Sequence, residues 1–588
     1  MAQRLGIQAI GAHLLWAGVS ALLLGLAFAP VGWGWLAHIA LVPVTVLALR
    51  SAGGWRLVGC LYLVSAIWWL TMLRWIIPVT EGGYIALSLY MAVYLPAAML
   101  LMRWLDRRLY WPATFTFPAL WVTLEMIRGY ILAGGFGWYA LAHSQAPFLP
   151  EHGVSHIIQI ADLFGEHGVS VLVALTNGLA VDLLTRPLFG PRDGNATRMH
   201  GTAAAGLAVW AAALTATLLY GQWRINQFES HTHPGPVVAV VQTNVPQDNK
   251  VAGTLEERLA DWQQLKELTR RAAQAGATLI VWPETVTPAP INPEAAAYYR
   301  VAAEHFDGSG HTVEATMYRQ LAQLRTEIAE LARELGVAIV VGSATEDYNP
   351  YRRYNSAYLV HADGTIAAER FDKIHRVPFG EYLPWVEWFP WLKKWFIQTL
   401  TPYDFDYTLQ RGESWTVFRY TPSESDNPND SIAFVTPICF EDTVPRVIRR
   451  LIHGEDREKD AQMLVNLTND GWFAASSQPL QHIQIAVFRS VENRVPTARA
   501  VNTGVSGFID SLGRVGPVVQ ADGRMQNIEG FSVHTLRLDE RQTLFGRWGY
   551  WPALLLVAAT AAMLLVAFLR RSKMTDQDHS SVEPTSRS

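Results

Sequence analysis

The stretch Ser431-Ile-Ala-Phe-Val-Thr-Pro-Ile-Cys439-Phe-Glu-Asp442 governs how the polar part of this chain is read. Its apolar, β-branched run Ile432–Val435 has the composition of a buried strand. Pro437 ends that strand and a cysteine stands just past the break. Two acids come next, then the helix-like Val444-Pro-Arg-Val-Ile-Arg-Arg-Leu-Ile452. A nucleophile at a strand-to-helix elbow is held out on a tight turn, where the next backbone N–H groups can stabilise a thiolate or an oxyanion. Taken alone, the same cysteine reads as a small, inert, buried hydrophobe. Two other stretches, around Glu284 and Lys373, turn the reading toward chemistry.

Outward from this stretch, hydrophobicity is unevenly spread. The 588 residues include 23 tryptophans, only 17% are charged and the net charge is −4, which argues against a nucleic-acid partner. Apolar segments long enough to cross a bilayer fall at about 9–29, 31–49, 55–73, 83–102, 113–133, 167–185, 203–221 and 549–569. With eight spans, the basic residues Arg4, Arg50, Arg56, Arg103, Arg107, Arg108, Arg186, Arg192, Arg198, Arg570, Arg571 and Lys573 all fall on one side. The positive-inside rule then places both termini in the cytoplasm and the polar domain outside. The expected organisation is a membrane domain of seven helices over 1–221, an extracytoplasmic domain over 222–548, an eighth helix over 549–571 and a disordered cytoplasmic tail over 572–588. The only two cysteines, Cys60 and Cys439, lie in different parts of this scheme, so a structural disulfide is not expected. Glu125 and Arg128, one helical turn apart, read as an ion pair near the outer end of the fifth span. His152 and His156 have a spacing that could suit a metal, but without accompanying carboxylates or thiols they read as polar interface residues, and no metal site is expected.

In the polar domain, short apolar runs alternate with helical stretches. Strands are expected at Pro236–Pro246, Ala277–Glu284, Gly336–Gly342, Tyr354–Val360 and Met463–Thr468, and helices at about 254–275, 314–336 and 478–494. That alternation predicts an α/β sandwich with helices outside two sheets, an αββα arrangement. Three strand ends carry Glu284, Lys373 and Cys439. Acyl transfer needs a nucleophile, a base for its proton, and a cation or donor for the oxyanion. Glu284 can serve as base, Cys439 as nucleophile, and Lys373 with the backbone N–H of Phe440 as the oxyanion partners. Glu381 can hold the lysine.

Trp282-Pro-Glu284, Phe371-Asp-Lys373 with Val377-Pro-Phe-Gly-Glu381, Pro437-Ile-Cys439-Phe-Glu441 and Asn469-Asp-Gly-Trp-Phe473 resemble, in order, the motifs of the nitrilase (carbon–nitrogen hydrolase) superfamily. The eight spans, with this domain between the seventh and the eighth, resemble that superfamily's membrane-anchored branch, the apolipoprotein N-acyltransferases. So do Gln481-His482 with Arg489, Glu492 and Arg494, and the pieces Gly135-Phe-Gly-Trp138 and Gln159-Ile-Ala-Asp162. The resemblance implies a Glu284–Lys373–Cys439 triad supported by Glu381, Glu441 and the Phe440 N–H, working without a cofactor. It implies a phospholipid acyl donor, phosphatidylethanolamine in particular, a diacylated apolipoprotein as acceptor, and a thioester on Cys439. It further implies a multi-pass protein of the bacterial inner membrane with a periplasmic catalytic domain, and a monomer as the acting unit. Three positions depart from the family pattern: Phe440 stands for tyrosine, Val251 for tryptophan and Gly137 for proline.

Apart from the resemblance, Trp385-Val-Glu-Trp388-Phe-Pro-Trp391-Leu-Lys-Lys-Trp395-Phe-Ile397 is a tryptophan-rich amphipathic stretch with basic residues. Trp385, Trp388, Trp391 and Trp395 suit a lipid-facing surface, and an ordinary core-facing helix is the alternative. Two other functions fit parts of the pattern: a membrane-tethered amidase or nitrilase acting on small amides, and a non-enzymatic transporter or scaffold.

Overall fold

The computed structural model describes residues 2–51, 53–131, 135–186, 194–246, 253–400, 406–422, 431–473 and 476–579. Within the polar domain the strands are β1 (Thr232–Gln242), β2 (Leu279–Val281), β3 (Ala338–Tyr348), β4 (Tyr351–Val360), β5 (Ile366–Asp372), β6 (Phe418–Tyr420), β7 (Ile432–Val435), β8 (Met463–Thr468), β9 (Thr497–Val501), β10 (Gly507–Ile509), β11 (Val515–Val518) and β12 (Gly530–Asp539). Among the described residues they form two six-stranded sheets, ordered β12-β1-β2-β3-β4-β5 and β11-β10-β9-β8-β7-β6. The pleat sorts alternate residues to opposite faces. Val238 and Val240 of β1 therefore enter the core between the sheets, with Phe434, Leu464 and Phe508. Ala239 and Val241 face outward onto Trp262, Leu265, Leu324 and Ile328 of the helices Leu255–Gln274 and Thr312–Leu335. The first of those helices starts with a reciprocal capping box between Thr254 and Glu257, and the second stops at Gly336 in the left-handed region. The expected αββα sandwich is therefore present, with an additional helix, Pro293–Gly308, outside the expected set.

Strand direction decides where the reactive groups emerge. β1, β2 and β3 run parallel, and β4 and β5 return antiparallel in turn, so β2 and β5 point the same way. β7, β8 and β9 are likewise parallel. Glu284 comes after β2, Lys373 after β5, and Cys439 and Asp470 after β7 and β8. Each therefore leaves its sheet at a carboxyl end, where α/β sheets place ligand sites.

In the membrane domain, six helices among the described residues are long and apolar enough to cross a bilayer: Gln8–Ala27, Trp55–Met72, Glu81–Leu109, Glu166–Thr185, Ala204–Asn226 and Trp551–Arg570. The other two expected spans are irregular. Segment 31–49 is not one helix but a short turn, Gly34–His38, and then Val42–Arg50. Nine residues reach only about 14 Å at 1.5 Å per residue, under half the hydrocarbon thickness. The break is tolerated because Asn177 of a neighbouring helix satisfies it, accepting from Leu41 N at 2.9 Å and donating to the Ala37 carbonyl at 2.8 Å. Segment 113–133 is Ala113–Met126 with Pro118 inside, continued by a widened turn at Ile127–Ile131. The last helix runs through His579, so the tail expected from residue 572 starts as helix, and residues 580–588 lie outside the described residues.

The two ends of the helix bundle differ. At one end Arg50 donates to the Leu184 carbonyl (2.6 Å), Arg103 to the Ala48 carbonyl (2.8 Å), and Arg186 pairs with Asp106 (2.8 Å). At the other, buried polar contacts join the bundle to the helix Gln478–Asn493 of the sandwich and to Arg494 just past it. Arg489 pairs with Glu166 at 2.5 Å, Arg494 with Asp162 at 2.7 Å, and Gln481 donates to the Ala29 carbonyl at 3.0 Å. Charges this deeply buried persist only when paired, so these contacts fix the sandwich on the bundle. Glu125 and Arg128 interact through their charges, as expected, but no direct ion-pair contact joins them among the described residues, and each is held by its own partners inside the membrane domain. Glu125 accepts from Trp121 and the Leu141 N–H, and Arg128 donates to the carbonyls of Trp138 and Tyr139. His152 packs edge-on against Phe148, and His156 contacts Gln222. Cys60 and Cys439 are both free thiols.

Candidate active site

Glu284 sits just past β2, where Pro283 ends the strand. Gly342 of β3 is needed beside it, because a Cβ there would collide with the Pro283 carbonyl and lie 2.9 Å from Glu284 Cα. Asn355, on β4, donates to Glu284 Oε1 at 2.6 Å. Lys373 Nζ lies 3.4 Å from the same oxygen and 2.7 Å from Glu381 Oε1. Glu381 is anchored in turn by the Val377 N–H on its other oxygen, at 2.7 Å. The Lys373 side chain is 2% exposed and its ammonium is held between two carboxylates. Burial disfavours its charge, but Glu381 and Glu284 more than offset this, and Lys373 stays protonated far above its ordinary range.

Cys439 occupies the expected elbow. Its φ is +51°, left-handed for a residue with a Cβ, and it opens the tight turn Cys439–Thr443 between β7 and the helix Pro445–His453. Such a conformation costs on the order of 1–3 kcal/mol and persists only where the surroundings enforce it. Glu441 is the first enforcer. Its Oε2 accepts the Ile438 N–H at 2.8 Å, and its Oε1 accepts the N–H groups of Ile374 (2.8 Å) and His375 (2.9 Å), directly after Lys373. One buried carboxylate thus ties the cysteine turn to the lysine loop. Phe440 is the second: its ring stacks between Trp138 (6.0 Å, 10°) and His375 (5.7 Å, 12°). Trp138 belongs to the membrane-domain connection that leads to the helix Glu166–Thr185, and Phe136 of the same connection stacks on its ring. Gly137 of that connection lies against the turn itself, its Cβ position 3.7 Å from the Thr443 carbonyl.

The charges converge on the thiol. Burial pushes Cys439 well above its ordinary value, Glu284 pushes the same way, and Lys373 opposes them. The resting sulfur is therefore a thiol, and a base must take its proton during attack. Burial also raises Glu441, to about 7 despite its three N–H donors. A carboxyl raised on folding binds more protons native than unfolded, so its stabilising contribution falls as pH rises from about 4.5 through 7. Glu441→Gln removes that titration. The stability advantage of wild type over Glu441→Gln is expected to be largest at or below about pH 4.5 and to shrink by about 3 kcal/mol by pH 8, read from denaturation at each pH. A pH-independent difference would contradict the assignment.

The structure brings Glu284, Lys373 and Glu381 into direct contact, with Cys439 and Glu441 on the adjoining turn. Trp385, Trp388, Trp391 and Trp395 stand apart from the core at 53%, 74%, 71% and 51% exposure, at the turn Val386–Trp388 and the helix Pro390–Leu400 after Glu381. That removes the core-facing alternative for these four rings. Ile397 of the same helix is buried, and Lys393 is turned to Asp406 at 2.7 Å. Val251 lies outside the described residues. Sequence reasoning missed Asn355, whose only signal was an amide near the start of the expected strand Tyr354–Val360. It also left His482, Asp442 and Arg499 without a role.

Two sheets in an αββα sandwich, with an acid, a lysine and an elbow cysteine at their carboxyl ends, define a carbon–nitrogen hydrolase, here mounted on a bundle of membrane-crossing helices. Residues 237–542 match the family model described as carbon-nitrogen hydrolase, and residues 20–179 match the apolipoprotein N-acyltransferase N-terminal domain. An apolipoprotein N-acyltransferase of Geobacter metallireducens is 31% identical over 586 residues, 95% of this chain and 96% of that protein. Those of Allorhizobium ampelinum (30%; 89% of this chain, 86% of that protein) and Methylococcus capsulatus (29%; 78% and 74%) are also similar. The chain belongs to the apolipoprotein N-acyltransferase family.

Proposed function

We propose that this protein moves a fatty acyl chain from a phospholipid to the N-terminal α-amino group of the diacylglyceryl-cysteine of apolipoproteins, through a thioester on Cys439. The observation that carries this reading is the buried Lys373 ammonium between Glu284 and Glu381, coupled electrostatically to a thiol on an enforced turn. In the first half-reaction Glu284 takes the thiol proton as the sulfur attacks the donor ester carbonyl. Lys373 and the Phe440 N–H hold the oxyanion, the C–O bond breaks, and Glu284 returns the proton to the lysophospholipid alcohol. In the second, the acceptor amine attacks the thioester carbonyl, Glu284 receives the amine's proton, and the C–S bond breaks to restore the thiol. The turn lies directly against the Gly137–Trp138 connection of the membrane domain, which supports lipid substrates that reach the site along the bilayer.

The basic side chains Arg50, Arg103 and Arg186, gathered at the end of the bundle away from the sandwich, support a cytoplasmic location for that end. The sandwich then faces the periplasm of a bacterial inner membrane, with both termini cytoplasmic. The exposed Trp388 and Trp391 support contact with lipid. Burying such rings contributes about 1.5–3 kcal/mol each, so the double variant Trp388→Glu/Trp391→Glu is expected to raise KM for phospholipid in vesicles about tenfold or more with kcat little changed. An unchanged KM would remove these residues from substrate capture.

The test of the whole reading supplies full-length protein with phosphatidylethanolamine and a diacylated lipopeptide. Lysophospholipid and N-acylated peptide in equal amounts are expected. Without the lipopeptide, an acyl mass removable by hydroxylamine should build up on the Cys439 peptide. Turnover of small amides with no lysophospholipid released would instead support the amidase reading.

A further inference from the structure

Behind the cysteine turn lies a buried polar cluster that the transfer steps do not use. His482 Nε2 is 2.7 Å from Asp442 Oδ1, and Asp442 belongs to the same turn as Cys439. The other ring nitrogen, Nδ1, lies 3.2 Å from Asp470 Oδ1, 2.8 Å from Arg499 Nη2 and 3.4 Å from Gln478 Nε2. Arg499 donates to Asp442 Oδ2 at 2.6 Å and to Asn466 Oδ1 at 2.7 Å, and reaches Asp470 Oδ2 at 3.4 Å. Asp442, Asp470, His482 and Arg499 are all buried. They come from four separate elements, and the Trp138 ring closes the near side of the imidazole at 5.7 Å.

Donor and acceptor matching shows what the imidazole does there. A guanidinium can only donate, so at 2.8 Å from Arg499 Nη2 the ring nitrogen Nδ1 accepts, which leaves the ring proton on Nε2 to donate to Asp442 Oδ1. Arg499 donates to the other Asp442 oxygen, so the carboxylate of the cysteine turn is gripped from two elements behind it.

We propose that His482 is a positioning residue for the nucleophile: through Asp442 it holds the turn that carries Cys439. This rests on Cys439 being the nucleophile, as proposed above.

The experiment measures the rate of Cys439 alkylation by iodoacetamide at pH 8 in the detergent-solubilised full-length protein, by mass spectrometry of its peptide, beside steady-state transfer. His482→Phe, which keeps a ring and loses the donor, should slow alkylation about tenfold and lower kcat by a similar factor with KM for phospholipid unchanged. His482→Gln, which can still donate to Asp442, should recover part of both. Asp442→Asn cuts the same link at its other end and should slow alkylation likewise, which keeps the inference testable if His482→Phe folds poorly. A purely structural role predicts lower Tm with a wild-type alkylation rate in the folded protein, and either that result or a wild-type rate in Asp442→Asn overturns the proposal. Transfer surviving in Cys439→Ala is a different failure, since it would remove the nucleophile assignment itself.

Discussion

Cys439→Ala is expected to lower acyl transfer by roughly 10⁴-fold or more, the scale seen when the nucleophile of a catalytic unit is deleted, while the protein still folds. The residue is only partly buried, and its turn is held by Glu441, Asp442 and the Phe440 stack rather than by the sulfur. Tm should therefore stay within a few degrees of wild type. Cys439→Ser is expected to be nearly as inactive. Even the thiol is pushed well above its ordinary value in this site, and a hydroxyl is harder still to deprotonate. Both variants should release no lysophospholipid and carry no hydroxylamine-labile acyl mass. Residual transfer above about 1% of wild type would end the thioester reading.

Lys373→Met is expected to be damaging in two separable ways. Removing the ammonium takes the cation from between the buried Glu284 and the partly buried Glu381, and breaking a buried pair in this manner costs up to about 3–5 kcal/mol. It also removes the cation for the oxyanion, a loss of about 10²–10³-fold or more in kcat. Adding Glu381→Gln to Lys373→Met takes away one of the two stranded charges. The double variant should regain part of the lost Tm but none of the activity. Recovery of activity along with stability would mean that Lys373 is only a structural counter-charge. Lys373→Arg should rescue poorly, because a planar fork does not fit the space of a point charge set 2.7 Å and 3.4 Å from two different carboxylates.

The placement of the candidate site's groups was readable in advance because it depends on short-range sequence. Pro283 and Pro437 stop apolar runs, and a residue placed just past a stopped strand is presented at a sheet end. That reasoning singled out Glu284 and Cys439, with Lys373 at a third strand end and Glu381 to hold it, and the ordered motifs added Glu441. The membrane count was less readable. Segment 31–49 has the hydropathy of a span, but its break is stabilised by Asn177, 136 positions from Leu41, and hydropathy cannot register such a partner. The exposed tryptophans were ambiguous for a similar reason: an amphipathic pattern states that one face is apolar, not what covers it.

Local patterns were enough to establish most element types, the αββα class, the membrane-anchored organisation and the three groups set at strand ends. Periodicity, chain breaks and motif order are properties of neighbouring residues, and they need no partner from elsewhere in the chain. Packing in three dimensions was needed for the rest. It placed Asn355 and Glu381 on either side of the Glu284–Lys373 contact and tied two loops together through Glu441. It also braced Phe440 with Trp138 from the membrane domain and set His482 and Arg499 against two aspartates behind the turn. Most of these contacts join residues far apart in the chain. Burial makes such contacts strong by removing the water that would otherwise satisfy the same groups, and burial exists only after the sheets, the helices and the membrane bundle have packed.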